Sequence, residues 1–172
     1  MQLFSTAPGF DDPMGLLLAC HGRILGHCET LERLPGHLAA HGPDDEARQA
    51  AGRILRYFHT AAPLHHADEE ENLFPFLAAH PDFPESLRVP LQNLGAQHRA
   101  MEAAWRELAR GLEAIAAGRP TGFSPEPFIT MHRAHIALEN GEIFPLAARL
   151  LTTDTLAGIG TAMRARRPGA EP

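Results

Sequence analysis

The stretch HHADEEENLFPFL, residues 65–77, places two histidines and three consecutive glutamates directly before apolar residues that are typical of a helix core. A second stretch, HIALENGEIFPLA at residues 135–147, repeats this pattern. Both contain the element H-x-x-x-E-x-x-x-[LI]-F-P when they are aligned. Residues four apart are neighbours on a helix surface, so the histidine and glutamate of each element are predicted to point the same way.

The histidine and glutamate of each element fall on an apolar helix face. His98, which is followed four residues later by Glu102, and His21 lie on similar apolar faces of two other segments. We therefore expect four helices to turn one histidine each towards the interior. The apolar residues at helical spacing around the two elements are Phe58, Ala61, Ala62, Leu73 and Phe76 for His65, and Phe128, Met131, Ile143 and Leu146 for His135.

Buried imidazoles and carboxylates need partners. Burial of one unpaired polar group costs about 2–7 kcal/mol, whereas a whole domain is stable by about 5–15 kcal/mol. A hydrogen-bonded His–Glu network would satisfy any single pair. Four histidines at matched positions, together with several glutamates, favour a metal site instead. Imidazoles combined with carboxylates suit iron, manganese or zinc better than calcium or magnesium.

The elements that would position these side chains are predicted to be helices. Ala, Leu, Glu and Arg dominate, and strand signals are nearly absent. The predicted helices run from Asp12 to about Gly42, from Asp44 or Asp45 to just before Pro81, from Pro84 or Glu85 to Gly118, and from a cap at Ser124 to about Leu151. Long amphipathic helices with short connections predict an all-α, up-down-up-down four-helix bundle.

The chain is expected to form one domain, residues 1–172, with the bundle core at about 12–151 and a short C-terminal helix at about 153–166. A formal net charge of -6 and the absence of a basic stripe argue against nucleic acid as a partner. The first residues lack a basic region, and their apolar run is short, so we expect no membrane span and a cytoplasmic location. Any protein partner is left open.

The two elements, with His21 before them and His98 between them, resemble the haemerythrin-like, or HHE cation-binding, domain family. The resemblance extends over about residues 12–151. It implies a four-helix bundle around a non-haem di-iron centre, in which histidines are terminal ligands and one carboxylate from each of two helices bridges the irons. Carried over to this sequence, the terminal ligands are His21, His65, His98 and His135, and the bridging ligands are Glu69 and Glu139.

One position departs from the family pattern. Haemerythrins have a second histidine four residues after the one on the third helix, and this chain has Glu102 there. Glu102 is included in the predicted site as a replacement ligand, but two alternatives stay open: an open position at that iron, or a surface pair with Arg99 or Arg106. His66 and His132 are further candidates for the ligand set or its surroundings.

The resemblance implies an iron protein that binds or senses a small diatomic molecule such as O2 or NO, or the cellular iron or redox state. An alternative from another class is a di-iron enzyme that acts on peroxide, NO or a small organic substrate. A third alternative is a metal-free helical interaction module in which the His–Glu pairs are structural. Chelation separates the last alternative from the others, because loss of a bound metal destabilises the folded state.

Overall fold

The computed structural model describes residues 8–169. Residues 1–7 and 170–172, which the single-domain prediction includes, lie outside the described part of the chain. Helices dominate, and no strand occurs within residues 8–169. The prediction of an all-α fold is therefore confirmed.

The second and fourth predicted helices are each interrupted by one π-helical turn. In chain order, the α-helices are α1 Pro13–His41, α2 Asp45–Asp68, α3 Phe74–Ala79, α4 Glu85–Ala116, α5 Glu126–Leu138, α6 Phe144–Leu150 and α7 Thr153–Ala165. The turn π1, Glu69–Leu73, joins α2 to α3, and the turn π2, Glu139–Ile143, joins α5 to α6. Each π turn therefore lies within one continuous helical rod.

Local sequence explains where the helices begin and end. Asp12 caps α1 by accepting a hydrogen bond from the Gly15 amide, and Pro13 occupies its first turn. Gly42, with a φ of 69°, ends α1 in a conformation that suits glycine. The predicted cap at Ser124 is wrong. Pro125 takes the cap position with a helical backbone, and its carbonyl accepts the amide of Ile129.

The four long elements form a closed ring of neighbours, in which α1 packs on α2, α2 on α4, α4 on α5 and α5 on α1. The short helix α7 packs against α1, α2 and π1. This arrangement confirms the predicted four-helix bundle with a short C-terminal helix. None of the helices within residues 8–169 has the length and hydropathy needed to cross a membrane.

Two apolar clusters fill the interior. One contains Ile24, Ile54 and Trp105, and the other contains Leu17 and Leu94. On α1, His21 lies between Leu17 of one cluster and Ile24 of the other. The bundle therefore holds its buried histidines in a polar layer with an apolar core on each side.

Candidate metal centre

Both glutamates of the repeated elements begin a π turn. The amide of Phe74 donates to the Glu69 carbonyl, and the amide of Phe144 donates to the Glu139 carbonyl, each across five residues. A proline follows each of these phenylalanines. In an α-helix, a proline lacks the amide donor, and its ring clashes with the carbonyl four residues earlier. The wider π turn leaves space for the proline ring and does not need the missing amide as a donor. It occurs where the side chain of the glutamate enters the interior of the bundle.

Six predicted site residues meet in the polar layer of the bundle, and each is almost completely buried. Their exposed fractions are 1% for His21, 1% for His65, 0% for Glu69, 3% for His98, 4% for His135 and 0% for Glu139. Four different helical rods or helices contribute to this cluster. The tertiary structure therefore joins residues that are far apart in the chain.

The carboxylate of Glu69 faces histidines on both sides. Its Oε1 lies 3.2 Å from Nε2 of His65 and 3.6 Å from Nε2 of His21. Its Oε2 lies 3.5 Å from Nε2 of His98. The two oxygens of one carboxylate are thus directed at two different groups of imidazoles.

The carboxylate of Glu139 also faces histidines on both sides. Its Oε1 lies 3.1 Å from Nε2 of His135, and its Oε2 lies 3.1 Å from Nε2 of His21. The Nε2 atoms of His98 and His135 are 3.0 Å apart. Ligand atoms of His21, His65 and Glu69 form one group within reach of a single ion, and those of Glu69, His98, His135 and Glu139 form another. Glu69 belongs to both groups.

The spacing of these donors fits a metal ion better than a hydrogen-bonded network. Both oxygens of Glu69, both oxygens of Glu139 and Nε2 of His21 are buried and make no hydrogen bond within the described residues. Orphaned polar atoms of this kind are costly inside a protein. Ligands bound at about 2.1 Å to one metal ion and at right angles to each other lie about 3 Å apart. A cation at the cluster would satisfy the converging lone pairs.

Hydrogen bonds outside the cluster orient three of the imidazoles. In each case Nδ1–H donates to a side-chain oxygen, so that Nε2 faces the centre. The donor–acceptor pairs are His21 with Asn140 at 2.7 Å, His98 with Glu70 at 2.7 Å, and His135 with Gln97 at 2.8 Å.

Sequence reasoning missed these partners, although two of them occupy the same place in the repeat. Glu70 directly follows Glu69, and Asn140 directly follows Glu139. The residue after each cluster glutamate thus reaches back across the bundle to a histidine of another helix. The alignment of the two elements already places Glu70 over Asn140, but spacing along one helix does not show that either side chain reaches a histidine of another helix.

Burial keeps part of the cluster in its metal-binding form. Burial and the neighbouring imidazoles hold the pKa of His65 well below its usual value, and burial with the His135 imidazole lowers the pKa of His98 to about 3. Both rings are therefore neutral at physiological pH. A neutral imidazole with a free Nε2 is the form that binds a metal ion.

Other members hold protons when no cation is bound. Burial works against ionisation of His21, but Glu139 and Glu69 outweigh it and raise its pKa to about 10. Burial, together with the charge of Glu139, raises the pKa of Glu69 well above its usual value. Burial also opposes ionisation of Glu139, but contacts with His135 and His21 lower its pKa to about 2. A bound metal ion would replace the protons of His21 and Glu69.

Glu102 is not brought to the cluster, although the predicted site included it. It is exposed on α4, and its carboxylate belongs to neither group of donors. Leu94 and Trp105 mark the middle of the buried stripe of α4. Four residues turn a helix by about 400°, so Glu102 lies about 40° beyond His98 on the side away from that middle.

His66 and His132 lie beside the cluster and outside both donor groups. The His66 ring stacks on that of His98, with centroids 3.9 Å apart and an interplanar angle of 9°. His132 donates from Nδ1 to the Phe128 carbonyl at 2.9 Å. Burial lowers the pKa of His66 to about 2 and that of His132 to about 4, so both rings are neutral.

The C-terminal end of the described chain anchors the π1 turn. Asp68, which precedes Glu69, is completely buried. Arg166 donates to its Oδ1 at 2.9 Å, and Arg167 donates to its Oδ2 at 2.6 Å. Arg166 also donates to Asn72 at 2.5 Å and pairs with Glu71. We call this set of contacts the Asp68 clamp. Sequence analysis did not predict it.

Together, the bundle and the buried His/Glu layer define a helical protein with a candidate metal centre. A family model described as the hemerythrin HHE cation binding domain matches residues 12–147. The chain therefore belongs to the haemerythrin HHE cation-binding family. An uncharacterised protein of Haemophilus influenzae is 32% identical over 169 residues, which cover 96% of this chain and 94% of that protein. Helix α7 and the arginines of the clamp follow the residues that the family model matches.

Proposed function

We propose that the chain is a non-haem di-iron protein that binds or senses a small diatomic molecule such as O2 or NO, or the iron or redox state of the cell. One observation carries the proposal. The carboxylates of Glu69 and Glu139 each direct one oxygen at each of two pairs of histidines. A carboxylate in this position can bridge two metal ions.

We assign a role to each side chain from the same geometry. One metal ion would be held by His21 and His65 and the other by His98 and His135, with Glu69 and Glu139 shared between them. Each ion would then have four protein donors and room for an added small ligand. The iron centre supplies redox chemistry and an affinity for small molecules when it is bound. The protein orients the imidazoles through their Nδ1 hydrogen bonds and excludes water from the layer.

Iron is proposed because imidazoles and carboxylates together suit it, although manganese and zinc accept similar donors. Metal analysis of protein purified without oxygen tests the choice. We expect about two irons per chain, as the two donor groups predict, and a near-ultraviolet absorption change when the protein is exposed to air. Protein that contains no metal and takes none up from Fe(II) would overturn the proposal.

A second candidate is an enzyme that uses the same centre on peroxide, NO or a small organic substrate. A cavity that reaches His98 supports this candidate. Turnover of peroxide or of NO by iron-loaded protein, compared with the Glu139→Ala variant, would separate catalysis from binding alone. We also propose a cytoplasmic location, which localisation of a tagged chain in cells would test.

A further inference from the structure

A cavity of about 750 Å³ opens between α2 and α4 beside the candidate metal centre. Phe128 and His132 of α5 form part of its lining, and both are only 2% exposed. The cavity therefore extends between α2 and α4 into the interior of the bundle. His66 and His98 also line it, and His98 belongs to the metal-binding cluster.

Aromatic side chains dominate the deep part of the cavity. The rings of Phe58 and Trp105 are 4.9 Å apart between centroids, those of Phe58 and Phe128 are 5.0 Å apart, and those of Trp105 and Phe128 are 5.7 Å apart. Met101 and Ala109 add apolar surface. Such a lining favours a flat apolar ligand, because aromatic rings stack on one another and release water from apolar surface.

The mouth of the cavity carries a small net negative charge. Glu71 and Arg110 lie there in ion pairs with Arg166 and Glu107, whereas Glu70 accepts a hydrogen bond from the neutral ring of His98, so its negative charge has no positive partner. The other charged residues of the lining are Arg99, Glu102, Arg106 and Glu113. Arg99 and Arg106 balance Glu102 and Glu113, so the negative charge of Glu70 remains and disfavours an anion. The aromatic lining in turn favours a neutral ligand over a charged one. Glu102 belongs to this mouth.

The size of the cavity excludes a diatomic molecule as its full occupant. Sites for small organic molecules have volumes of about 300–1,000 Å³, and this cavity falls in that range. We propose that the cavity binds a neutral, flat aromatic molecule next to His98. Any reaction of that molecule at the metal rests on the proposed function, whereas its binding does not.

The position of the cavity explains how a ligand there would affect the centre. The ring of His66 lines the cavity and stacks on the ring of His98, which also lines it, with centroids 3.9 Å apart. Nε2 of His98 faces Glu69. A molecule bound in the cavity is therefore separated from the metal-binding donors by one or two imidazole rings.

Trp105 provides a direct test, because it is the only tryptophan of the chain and it lines the cavity. The neutral dye N-phenylnaphthylamine is titrated into the purified, metal-containing protein. We expect saturable quenching of Trp105 fluorescence by energy transfer to the dye, with one dye bound per chain. The matched anionic dye anilinonaphthalenesulfonate, which has the same aromatic frame, should bind more weakly.

Two leucine substitutions locate the binding site. Ala109→Leu places a larger side chain in the lining and should weaken dye binding about tenfold or more, because the added group takes up ligand space. Ala103→Leu, on the exposed side of the same helix, should leave dye affinity unchanged. Circular dichroism and thermal melting establish that each variant is folded. Should Ala109→Leu not fold, Met101→Phe provides a second change in the lining.

The proposal is overturned if the neutral dye does not saturate, if the two leucine variants bind it equally, or if the anionic dye binds more tightly. Metal content is measured on the same samples. Dye binding by a protein that contains no metal would support the cavity and contradict the proposed function. Metal binding without dye binding would support the proposed function and contradict the cavity proposal. The failure of one proposal can therefore be distinguished from the failure of the other.

Discussion

The two copies of the repeated element have the same chemistry but are held in place differently. In the first copy, the residue before the cluster glutamate is Asp68, which two arginines bind from the C-terminal end of the chain. In the second copy, Leu138 occupies that position and packs against the apolar cluster. The geometry of the histidine and glutamate is therefore repeated, whereas the residue before the glutamate has ionic contacts in one copy and apolar contacts in the other.

The two cluster glutamates also differ in their protonation. Burial and the charge of Glu139 raise the pKa of Glu69, whereas His135 and His21 overcome the effect of burial and lower the pKa of Glu139 to about 2. Two carboxylates that lie close together in a buried layer do not readily ionise together. A repeated sequence can thus form two sites that are equivalent in geometry and unequal in charge.

The largest expected effect comes from removing either cluster glutamate. Glu69→Ala deletes a ligand from both donor groups, and Glu139→Ala deletes one from the group of His98 and His135 together with an oxygen 3.1 Å from Nε2 of His21, so both variants should lose most of the bound metal. The bound metal stabilises the fold by about 4 kcal/mol when its free concentration is a thousand times Kd. Metal analysis and thermal melting measure both effects.

His37→Ala is the control for these variants, because His37 binds Asp44 near the end of α1 and is remote from the cluster. It should change neither metal content nor melting temperature. Equal effects from all three substitutions would contradict the assignment of the cluster. Retention of metal by only one glutamate variant would show that the two copies differ more than their geometry indicates.

Breaking the Asp68 clamp should have the next largest effect. Arg166→Gln combined with Arg167→Gln leaves the buried Asp68 carboxylate without its cations, a change that typically costs about 3–5 kcal/mol. Adding Asp68→Asn removes the unpaired charge and should recover much of that loss. Urea denaturation of metal-free protein measures the free energy of unfolding.

Arg133→Gln is a matched control for the clamp variants, since it removes another ion pair between distant parts of the chain. Arg133 and Glu32 are each nearly half exposed, so solvent screens their pair and it should contribute little to stability. If the clamp variants were no less stable than Arg133→Gln, the ionic anchoring of π1 would be refuted.

The outer hydrogen bonds should have smaller effects that appear mainly in metal affinity. Glu70→Ala removes the partner of His98, and Asn140→Ala removes the partner of His21. Loss of such a partner typically weakens metal binding about 10–100-fold. Competition with a chelator measures the affinity. Glu142→Ala is the control, because Glu142 is exposed in π2 and lies outside the cluster.

Proton release on metal binding is the smallest effect and tests the unequal charges directly. His21, with a pKa raised to about 10, and Glu69 both hold protons near pH 7 when no metal is bound. Metal must displace these protons, so apparent affinity should increase with pH until about 10. Calorimetry in buffers of different ionisation enthalpy counts the protons. A metal affinity that does not change between pH 7 and 9 would show that His21 and Glu69 do not hold these protons.

The candidate site was largely predictable because its residues follow simple spacing. Each histidine and its glutamate are one helical turn apart, on faces that are otherwise apolar, and the element occurs twice. The π turns were missed, although Pro75 and Pro145 mark a defect in both helices. A proline indicates that the α-helical hydrogen bonding must change, but packing decides whether the helix kinks, ends or widens.

The sequence by itself determined the helical periodicity, the four apolar faces and the six buried ligand candidates, because these depend on residues within a few turns of one another. Only the tertiary structure decided that Glu102 faces the cavity mouth, that Glu70 and Asn140 orient histidines on other helices, and that Arg166 and Arg167 anchor Asp68. These outcomes depend on the distance and rotation between helices. Side-chain packing across the whole bundle sets those quantities, and local spacing does not encode them.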